Sequence, residues 1–270
     1  MGFFGTFVLA RSDRLLVDEE ATLGFGYQHE HLYELGGGWQ LLETRGILDP
    51  QDFAAASEQF VAATGAGVLA AYVHDGDCMG VHGQTRDGWT TTFHLPVDGA
   101  PCPYRHRPQP APRTTEAVVA DLEQWAGAVG LTAVSEQIQA VAAYDYRGNS
   151  GWGHVLPLDL LPALGLPEAD EPSPTVIDLE QLPWCAIVGF SGLARQAWDR
   201  RSDRAHRSAP GLGFFGRERE WERVAIALEA DIWAARHRQN TDVTTLRERA
   251  EQLLEACRKD KKARVYRWRS

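Results

Sequence analysis

Cysteine is scarce in this 270-residue sequence. The four present, Cys78, Cys102, Cys185 and Cys257, are widely separated, form no CxxC pair and lack zinc-type spacing. They read as reduced thiols of a cytoplasmic protein. No apolar run is long enough to span a bilayer. The opening "MGFFGTFVLARSD" lacks the basic n-region of a secretory signal. Catalytic and cofactor signatures are sparse too. There is no G-x-x-x-x-G-K-[ST], no H-E-x-x-H and no H-x-E…P-C-x-x-C. No cofactor and no resident metal are expected. Lysine is nearly absent: of 27 Lys and Arg residues, only Lys259, Lys261 and Lys262 are lysines. That bias, with abundant Ala and Gly, reads as codon pressure in a GC-rich genome, and so as a bacterial source.

What is present is an ordinary globular composition, 44% hydrophobic and 24% charged. A chain of this length can bury a sizeable core. The net charge of −10 and pI near 5.4 argue against nucleic acid or an anionic membrane as partner. The basic end, "RKDKKARVYRWRS" at 258–270, is the one exception.

Residues 1–96 read as a β-rich domain. "GFFGTFVLA" favours a strand. "TLGFGYQHEHLYEL", "GGG" and "WQLLETRG" form a hairpin, the glycines supplying the turn. "DPQDFAAASEQFVAATG" is a helix with Asp49 as N-cap, Pro50 in its first turn and Gly65 after its last. "GVLAAYVHD", "CMGVHGQT" and "WTTTFHL" follow as a meander. Residues 97–113, dense in proline, read as a connector. Residues 114–270 read as mainly helical. Two facing apolar stripes close that half as a helical hairpin: Trp221, Val224, Ala225, Leu228 and Ile232, then Leu246, Ala250, Leu253, Leu254 and Cys257. The fold class is α+β: an antiparallel sheet crossed by one helix, then a helical half.

Four stretches carry candidate chemistry. In "YVHDGDCMGVHG", a Gly76-Asp77 turn puts Asp75 opposite Cys78 and Ala71 opposite His82. His74 and His82 then face opposite ways, and Cys78 and His82 stand about 13 Å apart along one strand. The apparent metal cluster dissolves into a turn whose Asp75 and Asp77 are the remaining metal candidates. In "GYQHEHLYELGGGWQLLETR", regular pairing sets Leu35 against Trp39, Tyr33 against Leu41, His31 against Glu43 and His29 against Arg45. A binding face of Tyr27, His29, His31 and Arg45 results, with His31 and Glu43 as an acid–base pair. "AIVGFSGLA" resembles a nucleophile elbow, but Leu193 stands where the pattern needs glycine, so Ser191 reads more simply as a helix N-cap. Trp152 and Trp184 lie in loops and are candidate contact anchors.

"MGFFGTFVLA" and "FVAATGAGVLAAYVHDGDC" resemble the openings of uncharacterised proteins from high-GC actinobacteria, over roughly residues 1–100. That resemblance implies a source and carries no activity. The function expected from the residues is a non-catalytic interaction protein of the cytoplasm, an adaptor, regulator or immunity-type binder whose partner is another protein. The alternative is a hydrolase using Ser191, or an acid–base site at His31 and Glu43.

Overall fold

A computed structural model describes residues 3–45, 53–75, 78–95, 97, 113–143, 156–169, 171–178, 190–207 and 219–260. The chain divides into two compact units, Met1–Ser173 and Pro174–Ser270.

The first unit is built on a six-stranded antiparallel sheet: β1 (Gly5–Arg11), β2 (Gln28–Gly36), β3 (Trp39–Arg45), β4 (Val68–His74), β5 (Cys78–Gln84) and β6 (Thr90–Leu95). Their order is β2-β3-β1-β4-β5-β6. Strands β1 and β4 lie in the middle, and six of seven residues in each are buried. Such unbroken burial requires cover on both faces. On one face stand Phe7, Leu9, Leu41, Leu69, Val81 and Phe93. They join Val118, Leu122, Trp125, Ile138 and Leu161 in one core. Those partners come from α2 (Thr115–Ala128), α3 (Ser135–Ala143) and the segment beginning with α4 (Leu156–Ala163). The opposite face is covered by α1 (Phe53–Thr64) and by 3-10 turns at Leu16–Asp18 and Glu20–Gly24. Phe25 packs edge-on against Phe53 and Phe60 at ring distances of 5.9 and 6.2 Å. Helix α1 ends at Gly65, whose φ of 68° suits glycine and whose N–H donates to Val61 O. Residues Asp49 and Pro50, its expected opening, lie outside the described residues.

The expected connector at 97–113 is also almost wholly outside them. The unit boundary falls after Ser173, because α2–α4 complete the core of the sheet. Near that boundary Ser173 donates its N–H to Leu32 O at 2.7 Å and its hydroxyl to Glu34 at 3.2 Å. This ties an acidic, proline-rich segment onto edge strand β2.

The second unit holds α5 (Phe190–Arg207), α6 (Glu220–Ala234) and α7 (Val243–Lys259), with α6 packed against both others. On α7 the buried set is Leu246, Ala250, Leu253, Leu254 and Cys257, one stripe. On α6 burial also takes in Glu222, Ile226, Glu229 and Ala230, as a helix with neighbours on two sides requires. Asp242 caps α7, accepting from the N–H groups of Thr244 and Thr245. The protein is α+β, its sheet at the N-terminal side and most of its helix in the C-terminal half.

Candidate functional site

The β2–β3 hairpin pairs Tyr33 with Leu41 and His31 with Glu43. Two bulges alter the rest. One between Glu34 and Gly36 sets Gly36, not Leu35, opposite Trp39. The other, at Glu30, sets His29 opposite Thr44 and Gln28 opposite Arg45. An inserted residue reverses which face the following side chains take. His29 therefore shares the face of Thr44, whose hydroxyl donates to Phe25 O beneath the 3-10 turns. The expected continuous face of Tyr27, His29, His31 and Arg45 does not form. Tyr27 and His29 are buried, at 2% and 1% exposure, while Arg45 is half exposed.

What the hairpin does gather is a carboxylate pair on one guanidinium. Arg45 lies 3.8 Å from Glu43 and 3.6 Å from Glu30, and its guanidinium rests over the Phe3 ring at 5.4 Å. Burial pushes the Glu43 carboxyl up to about 7; Arg45 offsets part of this and Glu30 adds to it. The Tyr33 hydroxyl is raised above its ordinary value by burial and then by the Glu43 charge. A carboxyl that titrates near neutrality can accept or release a proton where an ordinary one cannot.

The β4–β5 connection has three residues, not two. His74 pairs with Cys78 and Ala70 with His82, so Asp75 does not face Cys78. His74, Cys78 and His82 consequently share one face, and His94, opposite Gly80, joins them. The expected separation of His74 from His82 onto opposite faces is thus overturned by one added turn residue. Asp75 takes φ 54°, which such a turn demands. The shared face still makes no metal centre: among the described residues, no three His, Cys, Asp or Glu side chains are placed to hold an ion. His74 instead packs on Phe4 at 4.9 Å, and His82 Nδ1 lies 2.8 Å from the Thr92 hydroxyl. Burial lowers the His82 pKa and favours its neutral form. Asp77 lies outside the described residues.

Ser191 is the second residue of α5, and its side chain lies outside what the structure describes. Trp152 and Trp184 lie outside the described residues too. So does "GLGFFG" at 211–216, which has G-x-G-x-x-G spacing. The nearest described element before it is helix α5, whereas a dinucleotide fingerprint follows a strand.

A cleft of about 780 Å³ opens at one end of the sheet in the first unit, built from segments that no motif in the sequence links. It is lined by the end of β1 (Arg11 to Arg14), by Glu19, Trp39, the α1–β4 loop Thr64–Gly67, Arg86, and the end of α2 at Ala128 and Val129. Each part is held by specific contacts. Buried Gln40 fixes the loop after β1: its carbonyl accepts Leu16 N–H at 2.9 Å and its amide donates to Arg14 O at 2.8 Å. Ser12 N–H donates to Gly38 O at 2.9 Å, docking the hairpin turn on the same loop. Trp39 stacks edge-on against Trp125, whose indole N–H donates to Val68 O at 3.2 Å. Arg86 rides a tight turn in which Thr85 N–H donates to Trp89 O at 2.9 Å.

The cleft's charges are not all committed. Arg14 donates to Asp18 O at 2.9 Å and lies 3.7 Å from Glu19. Arg11 and Arg86 have no carboxylate partner among the described residues, and neither does Asp13. All three are exposed.

Comparisons with protein-family models, curated proteins and solved structures found no match.

Proposed function

We propose that this chain is a non-catalytic binding protein and that its ligand carries an anionic group held in the sheet-end cleft. The observation that carries the reading is the pair Arg11 and Arg86: two guanidiniums without carboxylate partners among the described residues, lining one concave site in a chain of net charge −10. A guanidinium matches carboxylate and phosphate geometry and binds them bidentately. The cleft's volume is that of small-molecule sites, which favours a small ligand over a protein partner. A cytoplasmic setting is part of the proposal; the buried free thiols Cys78 and Cys257 support it, and among the described residues no helix is long and apolar enough to cross a membrane.

The test is calorimetric titration of the intact chain with glutarate and with inorganic phosphate, repeated on Arg11→Gln and Arg86→Gln. Saturable binding that weakens about tenfold in each variant supports the reading. No binding, or binding indifferent to both substitutions, sinks it.

A second reading rests on Glu43. Its carboxyl at about 7, opposite His31 and beside Tyr33, has the protonation range of a general acid or base. Turnover of a chromogenic ester with a pH midpoint near that value, abolished in Glu43→Gln, would carry it. Turnover unchanged in that variant would exclude it.

A further inference from the structure

We infer that the cleft is built for a zwitterion with two anionic groups and one ammonium group, the charge pattern of a dicarboxylic α-amino acid. This rests on the anion-binding reading above and adds the chemical class of ligand.

The uncommitted charges set that pattern. Arg14 and Glu19 neutralise each other, and Glu19 also accepts from the Ser12 hydroxyl at 3.2 Å. Thr64 is likewise occupied: its hydroxyl donates to Phe60 O at 2.8 Å and accepts from Ala66 N–H at 3.1 Å. Three charged groups of the lining have no partner among the described residues: Arg11, Arg86 and Asp13. Two positive charges and one negative are complemented by a ligand with two negative charges and one positive.

Two helix ends add to the negative side. Both α1, through Ala63 to Gly65, and α2, through Ala128 and Val129, present their C-terminal ends to the cleft. Each such end carries about half a negative charge. These ends favour arginine by themselves, and that accounts for part of why cations gather here. It does not account for Asp13, which they repel and which faces the same space without a partner. An ammonium group on the ligand relieves both: it meets Asp13 and lies in the field of the two helix ends, while two carboxylates meet Arg11 and Arg86. A plain dicarboxylate or phosphate would leave Asp13 uncompensated beside it.

The experiment compares L-glutamate, glutarate and 4-aminobutyrate by calorimetry on the intact chain and on Asp13→Asn. Glutarate lacks the ammonium group; 4-aminobutyrate lacks one carboxylate. L-glutamate should bind the parent about tenfold more tightly than either, the worth of one charge-assisted contact. In Asp13→Asn the advantage over glutarate should vanish while glutarate binds at least as well as before, which also shows that the variant is folded. If glutarate binds the parent as tightly as L-glutamate, or the preference survives in Asp13→Asn, the inference fails and the anion reading stands. If none of the three binds, the inference fails, and the anion reading fails with it unless inorganic phosphate binds through Arg11 and Arg86.

Discussion

Glu43 stands 3.8 Å from Arg45, yet burial holds its carboxyl at about 7. The fold thus binds the Glu43 proton more tightly than the unfolded chain, in which the ordinary value is about 4.5. Well below pH 4.5 both states are protonated and stability is unaffected. As pH rises from 4.5 to 7 the unfolded chain ionises first, so stability falls; above 7 both are ionised and the loss is complete. The full loss is of the order of 3 kcal/mol. Glu43→Gln removes this dependence. It should be more stable than the parent at pH 8 and equal to it at pH 3, as read by urea unfolding at the two values. A variant less stable at pH 8 would show that the Arg45 pair outweighs desolvation.

Glycines in the hairpin turn are not equivalent. Gly36 and Gly38 both take φ 81°, a region costly to other residues. A Cβ on Gly36 meets nothing within 4 Å, whereas one on Gly38 would lie 3.3 Å from Ser12 O. Gly36→Ala should cost about 1 kcal/mol, the backbone cost alone. Gly38→Ala should cost more and should also weaken ligand binding, because Ser12 belongs to the cleft. Thermal unfolding and titration of both variants check this. Equal losses would show that the Ser12 contact yields without consequence.

Gln40 shapes the cleft without lining it. It is 6% exposed and fixes Leu16 N–H and Arg14 O from a strand position. Gln40→Ala leaves a buried N–H without its acceptor, at a cost of about 1–3 kcal/mol. It also frees the loop that carries Asp13 and Arg14. Denaturant unfolding should shift by that amount, and glutarate binding should weaken although no cleft side chain has changed. Unchanged affinity would mean that the loop holds its shape without Gln40.

The parts of the fold legible in the sequence are those in which periodicity is local. The α7 stripe from Leu246 to Cys257 is buried as its spacing requires, and Tyr33–Leu41 and His31–Glu43 pair as the glycine turn implies. What failed was parity. One inserted residue at Glu30 and one extra turn residue after His74 each reversed which face the neighbouring side chains take. No composition or spacing marks such insertions. The cleft was illegible for a different reason. Arg11, Asp13 and Arg86 sit in separate segments, and only the order β3-β1-β4-β5, with α1 and α2 ending at the same side, brings them together.

In the second unit Glu222 and Glu229 of α6 are both buried, and Glu222 is ion-paired. Its carboxylate is fully buried, accepts Arg219 N–H at 3.1 Å at the start of α6 and lies 3.3 Å from the Arg200 guanidinium of α5. That guanidinium also rests over the Trp221 ring at 5.6 Å. Breaking a fully buried pair costs about 3–5 kcal/mol; here Arg200 is 30% exposed and keeps its contact with the Trp221 ring, so the cost of losing Glu222 lies below that range, and removing both together is often neutral. Glu222→Ala, which also removes the cap acceptor, should therefore destabilise and speed amide exchange through α6. Glu222→Leu combined with Arg200→Met should recover most of that loss, the apolar pair filling the space the ion pair held. A double variant as unstable as the single would show that Glu222 matters as the cap of α6 and not as the partner of Arg200, and Glu222→Gln, which keeps the cap acceptor, would then lie close to the parent.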